Sequence, residues 1–286
     1  NNKIGIDLYE ETATITNTLI HSNGEEGIRL RYNYDLFLNN CTITKNNSHG
    51  LDLTEGGRPT IRNTILSDNL GKEIYIRNSG SQVVDVDYSV IQGGNENGIY
   101  FEGSNGSVTY GTNNISNTDA LFSDLDNNDF TLGQYSKAIG AGSISYAPLK
   151  DIQGNSRPNP SGSNPDIGAY ESSRGIPIPK PTLLTVNQDG SGFFTSIEDA
   201  ISFASDGDTI LISPGIYYEN IEIMDKDIHL ASLYLTSGDT SHISSTIIDG
   251  SQHFPLKSTV TIGSSISQSL NNVKLTGLTI TGGGFT

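Results

Sequence analysis

The sequence predicts an all-β solenoid of stacked coils, on three observations. A short phrase recurs as Gly5-Ile-Asp-Leu8, Gly27-Ile-Arg-Leu30, Gly50-Leu-Asp-Leu53, Glu73-Ile-Tyr-Ile76 and Gly98-Ile-Tyr-Phe101, in steps of 22, 23, 23 and 25 residues. A second phrase, Thr18-Leu-Ile20, Cys41-Thr-Ile43, Thr64-Ile-Leu66 and Ser89-Val-Ile91, keeps the same beat. A polar column, Asn17, Asn40 and Asn63, repeats at 23 and 23. A fixed period in the low twenties, rich in β-branched residues and Asn, is the mark of a stacked solenoid. The leucine-rich, ankyrin and tetratricopeptide patterns are absent.

Each phrase alternates in–out–in, as strand pleating requires. The inward columns are Ile6, Ile28, Leu51, Ile74, Ile99 and Leu8, Leu30, Leu53, Ile76, Phe101; the outward column is Asp7, Arg29, Asp52, Tyr75, Tyr100. Acid, base, acid is a compatible surface stack, because like charges on adjacent strands repel. Asn17, Asn40 and Asn63 are expected to form an amide ladder at a bend, with Asn23, Asn46, Asn47, Asn69 and Asn95 at the next corner.

Composition fits. Only 34% of the 286 residues are hydrophobic, which suffices for a thin core column. The net charge of −16, from 32 acidic and 16 basic residues, argues against a nucleic-acid partner. No apolar run reaches membrane-spanning length, so no membrane insertion is expected. The start at Asn1-Asn2-Lys3 lacks a signal peptide and reads as a processed or excised segment. The single cysteine excludes an internal disulfide framework, and Cys41 is expected to pack in the Thr18, Thr64, Ser89 column. Glycosylation-type triplets begin at Asn40, Asn46, Asn105 and Asn114, as chance provides in an Asn- and Ser-rich chain.

Four segments are expected: coils over residues 1–118, an irregular closing segment over 119–173, a Pro-rich linker over 174–181, and a helix with new coils over 182–286. Ile197, Ala200, Ile201 and Ala204 have helical spacing behind the candidate N-caps Thr195 and Ser196, with Glu198 three residues after Thr195. This helix is expected to cover an open end of the solenoid.

Gly190-Ser-Gly-Phe-Phe-Thr-Ser-Ile-Glu-Asp-Ala-Ile201, Gly207-Asp-Thr-Ile210 and Pro214-Gly-Ile-Tyr-Tyr-Glu-Asn220 resemble the opening of right-handed parallel β-helix proteins of the pectinesterase and pectate-lyase type. Ser136-Lys-Ala-Ile-Gly-Ala-Gly142, Asp151-Ile-Gln-Gly-Asn-Ser-Arg-Pro158 and Asp166-Ile-Gly-Ala-Tyr-Glu171 resemble the closing segment of the choice-of-anchor Q family, bacterial secreted or surface β-helix proteins of the pectin-lyase-like superfamily. The resemblance implies a right-handed parallel β-helix. The closing segment precedes the opening one, so the helix is expected to be split circularly across the chain ends. Joining the ends puts Ile280 about one beat from Ile20, and Leu278, Ile280, Phe285, Thr286, Asn1, Ile4 and Ile6 are the expected contacts between copies stacked head to tail.

Chemistry is sparse. The resemblance to pectinesterases implies two aspartates, a glutamine and an arginine on central coils, and their motifs are not matched. Ser48-His49-Gly50 stands without the paired aspartates of polygalacturonase-like enzymes and reads as a corner. Asp7, Arg29 and Asp52 are the candidate catalytic stack; carboxylates two coils apart stand ~9–10 Å from each other, near the upper end of the inverting range. The intervening arginine works against either acting as a general acid. Tyr75 and Tyr100 are candidates for a sugar platform, and equally good cross-strand partners. Asp124, Asp126 and Asp129 offer oxygen ligands suited to Ca²⁺ without the full loop pattern; no other cofactor is expected. Asp151, Arg157, Asp166 and Glu171 are expected to tie down the closing segment. The resulting expectation is a structural extracellular or cell-surface protein, one repeat of a β-helix fibre, stalk or adhesin, with extracellular polysaccharide as a further partner. The alternative is a carbohydrate-active lyase, hydrolase or binder.

Overall fold

A computed structural model describes residues 3–32, 35–54, 57–77, 82–103, 106–116, 122–252, 257–264 and 272–284. The chain divides into two compact units, Asn1–Pro179 and Lys180–Thr286. Both are parallel β-solenoids with a few short helices.

In the first unit, the described strands of the coils fall into three parallel sheets, followed by an antiparallel pair, Phe122–Asp124 with Asp129–Leu132. The first holds Ile6–Tyr9, Ile28–Arg31, Leu51–Leu53, Ile74–Ile76 and Ile99–Phe101. The second holds Ala13–Thr16, Asp35–Asn39, Arg58–Arg62, Val83–Asp87 and Ser107–Tyr110, and the third Leu19–His21, Thr42–Thr44, Ile65–Ser67 and Val90–Ile91. The register of the first sheet matches the repeated phrase: Ile6 faces Ile28, Ile28 faces Leu51, Leu51 faces Ile74 and Ile74 faces Ile99. The inward members Ile28, Leu30, Leu51, Leu53 and Ile74 are fully buried. A one-residue slip would turn this whole apolar set outward, which is why register is firmly specified.

Each strand of the third sheet is bracketed by two left-handed residues five positions apart. The pairs are Asn17 and Ser22, Asn40 and Lys45, Asn63 and Asp68, and Tyr88 and Gly93, with φ between 48° and 77°. Asn tolerates this conformation better than most residues. The amide ladder lies at the second of these corners. Asn23 Nδ2 donates to Asn46 Oδ1 and Asn46 Nδ2 to Asn69 Oδ1, both at 2.8 Å. Asn69 then donates to the buried carboxylate of Glu73, which ends the ladder.

The Asn17, Asn40 and Asn63 column has a different use. Asn63 does donate to Asn40 Oδ1 at 3.2 Å, but the column mainly clamps the irregular segment that follows the coils. Asn17 Nδ2 donates to Lys150 O, Asn40 Nδ2 to Asp166 O and Gly168 O, and Asn63 Nδ2 to Ser143 O at 2.8 Å. Gly168 N–H returns to Asn63 O, and Ala169 N–H to Thr42 Oγ1. Ala138 and Ile167 are buried against Ile65 and Val90 of the third sheet. The segment therefore lies along the side of the coil. Arg157, with a fully buried side chain, organises it: the guanidinium donates to Asp166 O, Gly168 O and Ala169 O at 3.0–3.2 Å and stands 3.4 Å from Glu171. The carboxylates of Asp151, Asp166 and Glu171 accept backbone N–H groups around it. Further along, Ile178 N–H donates to Gln134 O, so this part of the Pro-rich stretch is fastened to the first unit.

In the second unit, Leu183–Val186, Thr209–Ile212, His229–Ser232 and Lys274–Thr276 form one parallel sheet, Gly215–Tyr217, Thr246–Asp249 and Thr279–Thr281 a second, and Ile221–Met224 and Val260–Gly263 a third. The Ile197–Phe203 helix buries Ile197, Ala200 and Ile201 against Leu184, Val186 and Ile210. Its N-cap is Ser196, whose Oγ accepts from Asp199 N–H at 3.1 Å. The Thr195–Glu198 capping box is not needed, because the Glu219 carboxylate accepts from Ile197 and Glu198 N–H at 2.9–3.0 Å. Among the described residues, no helix is long and apolar enough to cross a membrane.

Two stability tests follow from these contacts. Arg157→Ala removes the buried counter-charge of Glu171 and three charge-assisted hydrogen bonds to Asp166 O, Gly168 O and Ala169 O, and should cost about 3–5 kcal/mol in urea unfolding. Burial pushes the Glu73 carboxyl up from 4.5 to about 8, against the hydrogen bonds from Asn69. An acid with a raised native pKa contributes stability in full below its unfolded value and loses it as pH rises through the native one. Wild type should therefore lose thermal stability from about pH 4.5 to 8 relative to Glu73→Gln. Parallel pH profiles of the two melting temperatures would refute this.

Candidate functional site

The outer surface of the first sheet collects most of the side chains that could do chemistry. Pleating places Asp7, Arg29, Asp52, Tyr75 and Tyr100 opposite one another in a single outward stack, as the phrase implies. Ion pairing within it runs diagonally. Asp52 is fully buried and is gripped by Arg77, Nε to Oδ1 at 3.0 Å and Nη2 to Oδ2 at 2.7 Å. Arg29 is 3.9 Å from Asp52 and turns to Glu26, 2.6 Å away. Asp7 is held by Arg31 at 3.0 and 2.9 Å. The fork geometry of arginine suits such bidentate pairs.

The buried Asp52, clasped by Arg77, is poorly placed to act as a mobile acid or base, whereas Asp7 stands in a partly exposed pair with Arg31. Arg77 had a signal in the sequence: it follows Ile76 as Arg31 follows Leu30, two positions beyond the outward residue. A single-column reading looks only straight across the sheet and misses the diagonal partner. Together Arg29, Arg31, Arg77, Tyr32 and Thr54 line a pocket of about 380 Å³.

Beside it, Tyr75 and Tyr100 belong to a three-ring stack begun by His49. The His49–Tyr75 centroids are 4.2 Å apart at 19° and the Tyr75–Tyr100 centroids 5.2 Å apart at 25°. His49 Nδ1 accepts Lys72 N–H at 2.9 Å, leaving Nε2 to carry the proton of the neutral ring. Burial pulls the His49 pKa below its ordinary value, in keeping with a neutral, stacked imidazole. Gly71 makes room for it, since a Cβ there would sit 2.5 Å from His49 Nδ1. Arg77 lies over Tyr75 at 5.2 Å, joining the rings to the ion pairs. An open groove of about 550 Å³ runs past His49, Leu70, Lys72, Tyr75 and Tyr100. Because the rings face one another, they present mainly edges and hydroxyls to it.

The acidic turn is internally satisfied. Asp124 accepts from Asn127 N–H and Nδ2, Asp129 from Thr131, and the Lys45 ammonium donates to Leu125 O at 2.8 Å and Asn128 Oδ1 at 3.1 Å. Asp126 lies in the same turn. Among the described residues, no group of three or more His, Cys, Asp or Glu could hold a metal ion. Cys41 is buried, and burial raises its thiol to about 11, which suits a packed side chain and not a nucleophile. Asn40 and Asn46 are likewise buried, and Asn114 donates to Val86 O.

Of the residues proposed for contact between copies, Ile4 and Ile6 are half-buried, Leu278 packs on the core of the second unit, and Ile280 is 44% exposed on its edge strand. Asn1, Phe285 and Thr286 lie outside the described residues, as does Asn105 of the glycosylation-type triplets. In the second unit, a cleft of about 460 Å³ is lined by Asp206, Asp208, Asp227, His229 and Lys274, residues the sequence reading did not single out. Its carboxylates cap backbone N–H groups of Asp227, Ser205 and Asn272.

Residues 1–133 match the family model described as a right handed beta helix region. No curated protein and no solved structure matches the chain.

The two diagonal pairs should differ in worth. Arg77→Ala strands a buried carboxylate and should destabilise by about 2–3 kcal/mol, the nearby Arg29 and the partial exposure of Arg77 holding the loss at the low end. Arg31→Ala opens a surface pair and should cost less than about 1 kcal/mol. Equal losses in chemical denaturation would contradict this placement.

Proposed function

We propose that this chain is a structural module of the right-handed parallel β-helix class, a repeat of an extracellular or cell-surface fibre, stalk or adhesin. One observation carries the reading: the reactive side chains on the outward stack are spent on the coil itself. Its aspartates are clasped by arginines and its rings are stacked on one another. The carboxyl-to-carboxyl gap open to water and substrate that a glycosidase needs is missing from this stack. The net charge of −16 further repels acidic polymers.

The resemblance to choice-of-anchor Q proteins supports the bacterial secreted or surface setting, and the apolar face of the Ile197–Phe203 helix supports a capping role there. The order of the closing and opening motifs supports a helix split circularly between successive copies. A second reading, a non-catalytic polysaccharide binder, is favoured by the groove beside His49, Tyr75 and Tyr100.

A panel of acidic and neutral polysaccharides incubated with the protein, with and without Ca²⁺, should show no new reducing ends and no unsaturated uronate. Turnover that disappears in Asp52→Ala would overturn the structural reading. Retardation in affinity electrophoresis that Tyr100→Ala abolishes, without turnover, would select the binder.

A further inference from the structure

The pocket beside the diagonal ion pairs runs against the composition of the chain. The sequence carries 32 acidic and 16 basic residues, yet three arginines line this cavity and, among the described residues, no carboxylate does. The other lining residues, Tyr32 and Thr54, carry hydroxyl groups.

The coil repeat explains how the arginines meet. Arg31, Thr54 and Arg77 follow the paired residues Leu30, Leu53 and Ile76 on three successive coils, so pleating sets them in one outward column. Thr54 is short, which leaves a notch between two long side chains. Arg31 leans back one coil to Asp7, and Arg77 one coil to Asp52. Their backbones stand two coils apart, ~9–10 Å, and the shared lean keeps the guanidinium groups at about that separation. Arg29 joins them from the neighbouring outward column, on the same coil as Arg31.

Donors are in surplus here even though carboxylates balance the charge. Arg31 and Arg77 engage their aspartates side-on through Nε and Nη2, which leaves the Nη1 end of each unengaged among the described residues. Arg29 reaches Glu26 through Nη2 at 2.6 Å, and its buried Nε has no hydrogen-bond partner among the described residues. A guanidinium keeps its proton, so a buried N–H of this kind calls for an acceptor. The side-on forks that match a planar carboxylate already hold Asp7 and Asp52. What remains are N–H groups from three residues on different coils and columns. An anion with oxygens in several directions can accept from all three, whereas a carboxylate has only two oxygens in one plane. At about 380 Å³ the cavity also has room for a group attached to the anion.

We propose that Arg29, Arg31 and Arg77 form a binding site for a tetrahedral oxyanion, a sulfate or phosphate group. The site does not rest on the structural reading above. At ~0.15 M salt the Debye length is ~8 Å, so the overall charge of −16 is screened and the contact donors decide binding.

The test is calorimetric titration of the whole chain in ~0.15 M sodium chloride. The probes are sodium sulfate, sodium phosphate, glucose 6-sulfate, glucose 6-phosphate and, as the planar carboxylate, sodium glucuronate. At least one tetrahedral probe should bind, and glucuronate should bind about tenfold more weakly or not at all. Arg31→Ala, which opens only a partly exposed pair, should weaken binding about tenfold or more, as loss of a charged donor does. Thr54→Glu sets a carboxylate in the notch and should abolish binding. Arg58→Ala removes an exposed arginine of the second sheet and should bind like wild type. Circular dichroism establishes that each variant is folded.

Tighter binding of the monoesters supports an ester as the source, and equal binding supports the free anion; either outcome upholds the site. No heat from any tetrahedral probe overturns it, as does glucuronate binding equally well. Wild-type affinity in folded Arg31→Ala and Thr54→Glu, or an equal loss in Arg58→Ala, overturns it too. If Arg31→Ala or Thr54→Glu fails to fold, the wild-type preference for tetrahedral probes over glucuronate decides. Polysaccharide turnover would sink the structural reading and leave this site standing.

Discussion

The first unit depends on the paired left-handed corners that fold each coil. A parallel solenoid must turn its backbone at the same places in every coil, or the ladder between coils loses register. Here two residues with φ near 50° to 77°, five apart, bracket each strand of the third sheet. Asn accepts that conformation at three first corners, while Tyr88 takes it at the fourth and Ser22, Lys45 and Asp68 at the second corners. Left-handed backbone costs an ordinary residue roughly 1–2 kcal/mol. The stacked backbone bonds and the Asn23–Asn46–Asn69 ladder offset that cost by rewarding every coil for matching the one below.

Once the corners align, the rest of the unit follows. Inward residues stack into columns, so a chain with few apolar residues still buries Leu30, Leu51, Ile61 and Ile74 completely. Outward residues stack too, and in an acidic chain that would set carboxylates beside carboxylates. Arginines two positions along the next coil prevent it, clasping Asp7 and Asp52 on the diagonal. The same arrangement seals Asp52 within the coil and leaves Asp7 in a partly exposed pair.

Much of the coil was legible in the sequence because two periods coincide. Alternation along a strand separates inside from outside, and the coil-length repeat carries that separation upward, so the register Ile6–Ile28–Leu51–Ile74–Ile99 could be written from spacing alone. Spacing fails where two columns share it. The Asn17 and Asn23 columns both recur at the coil length and are similarly buried, yet the second builds the main ladder while the first clamps a distant segment. Arg77 was passed over, and His49 was read only as a corner, for a related reason: their partners lie across coils in diagonal or offset positions. Likewise the N-terminal carboxylate of the Ile197–Phe203 helix comes from Glu219, beyond any local capping rule.

By itself the sequence determined the parallel β-solenoid, the inward columns and the outward stack, because those depend on residue order within a coil and its repetition. Only the tertiary structure decided that the Ser136–Glu171 motifs lie along the side of the third sheet and that Asp52 is sealed by Arg77. These are contacts between groups far apart in sequence with no shared period. Their geometry exists only after the coils have stacked.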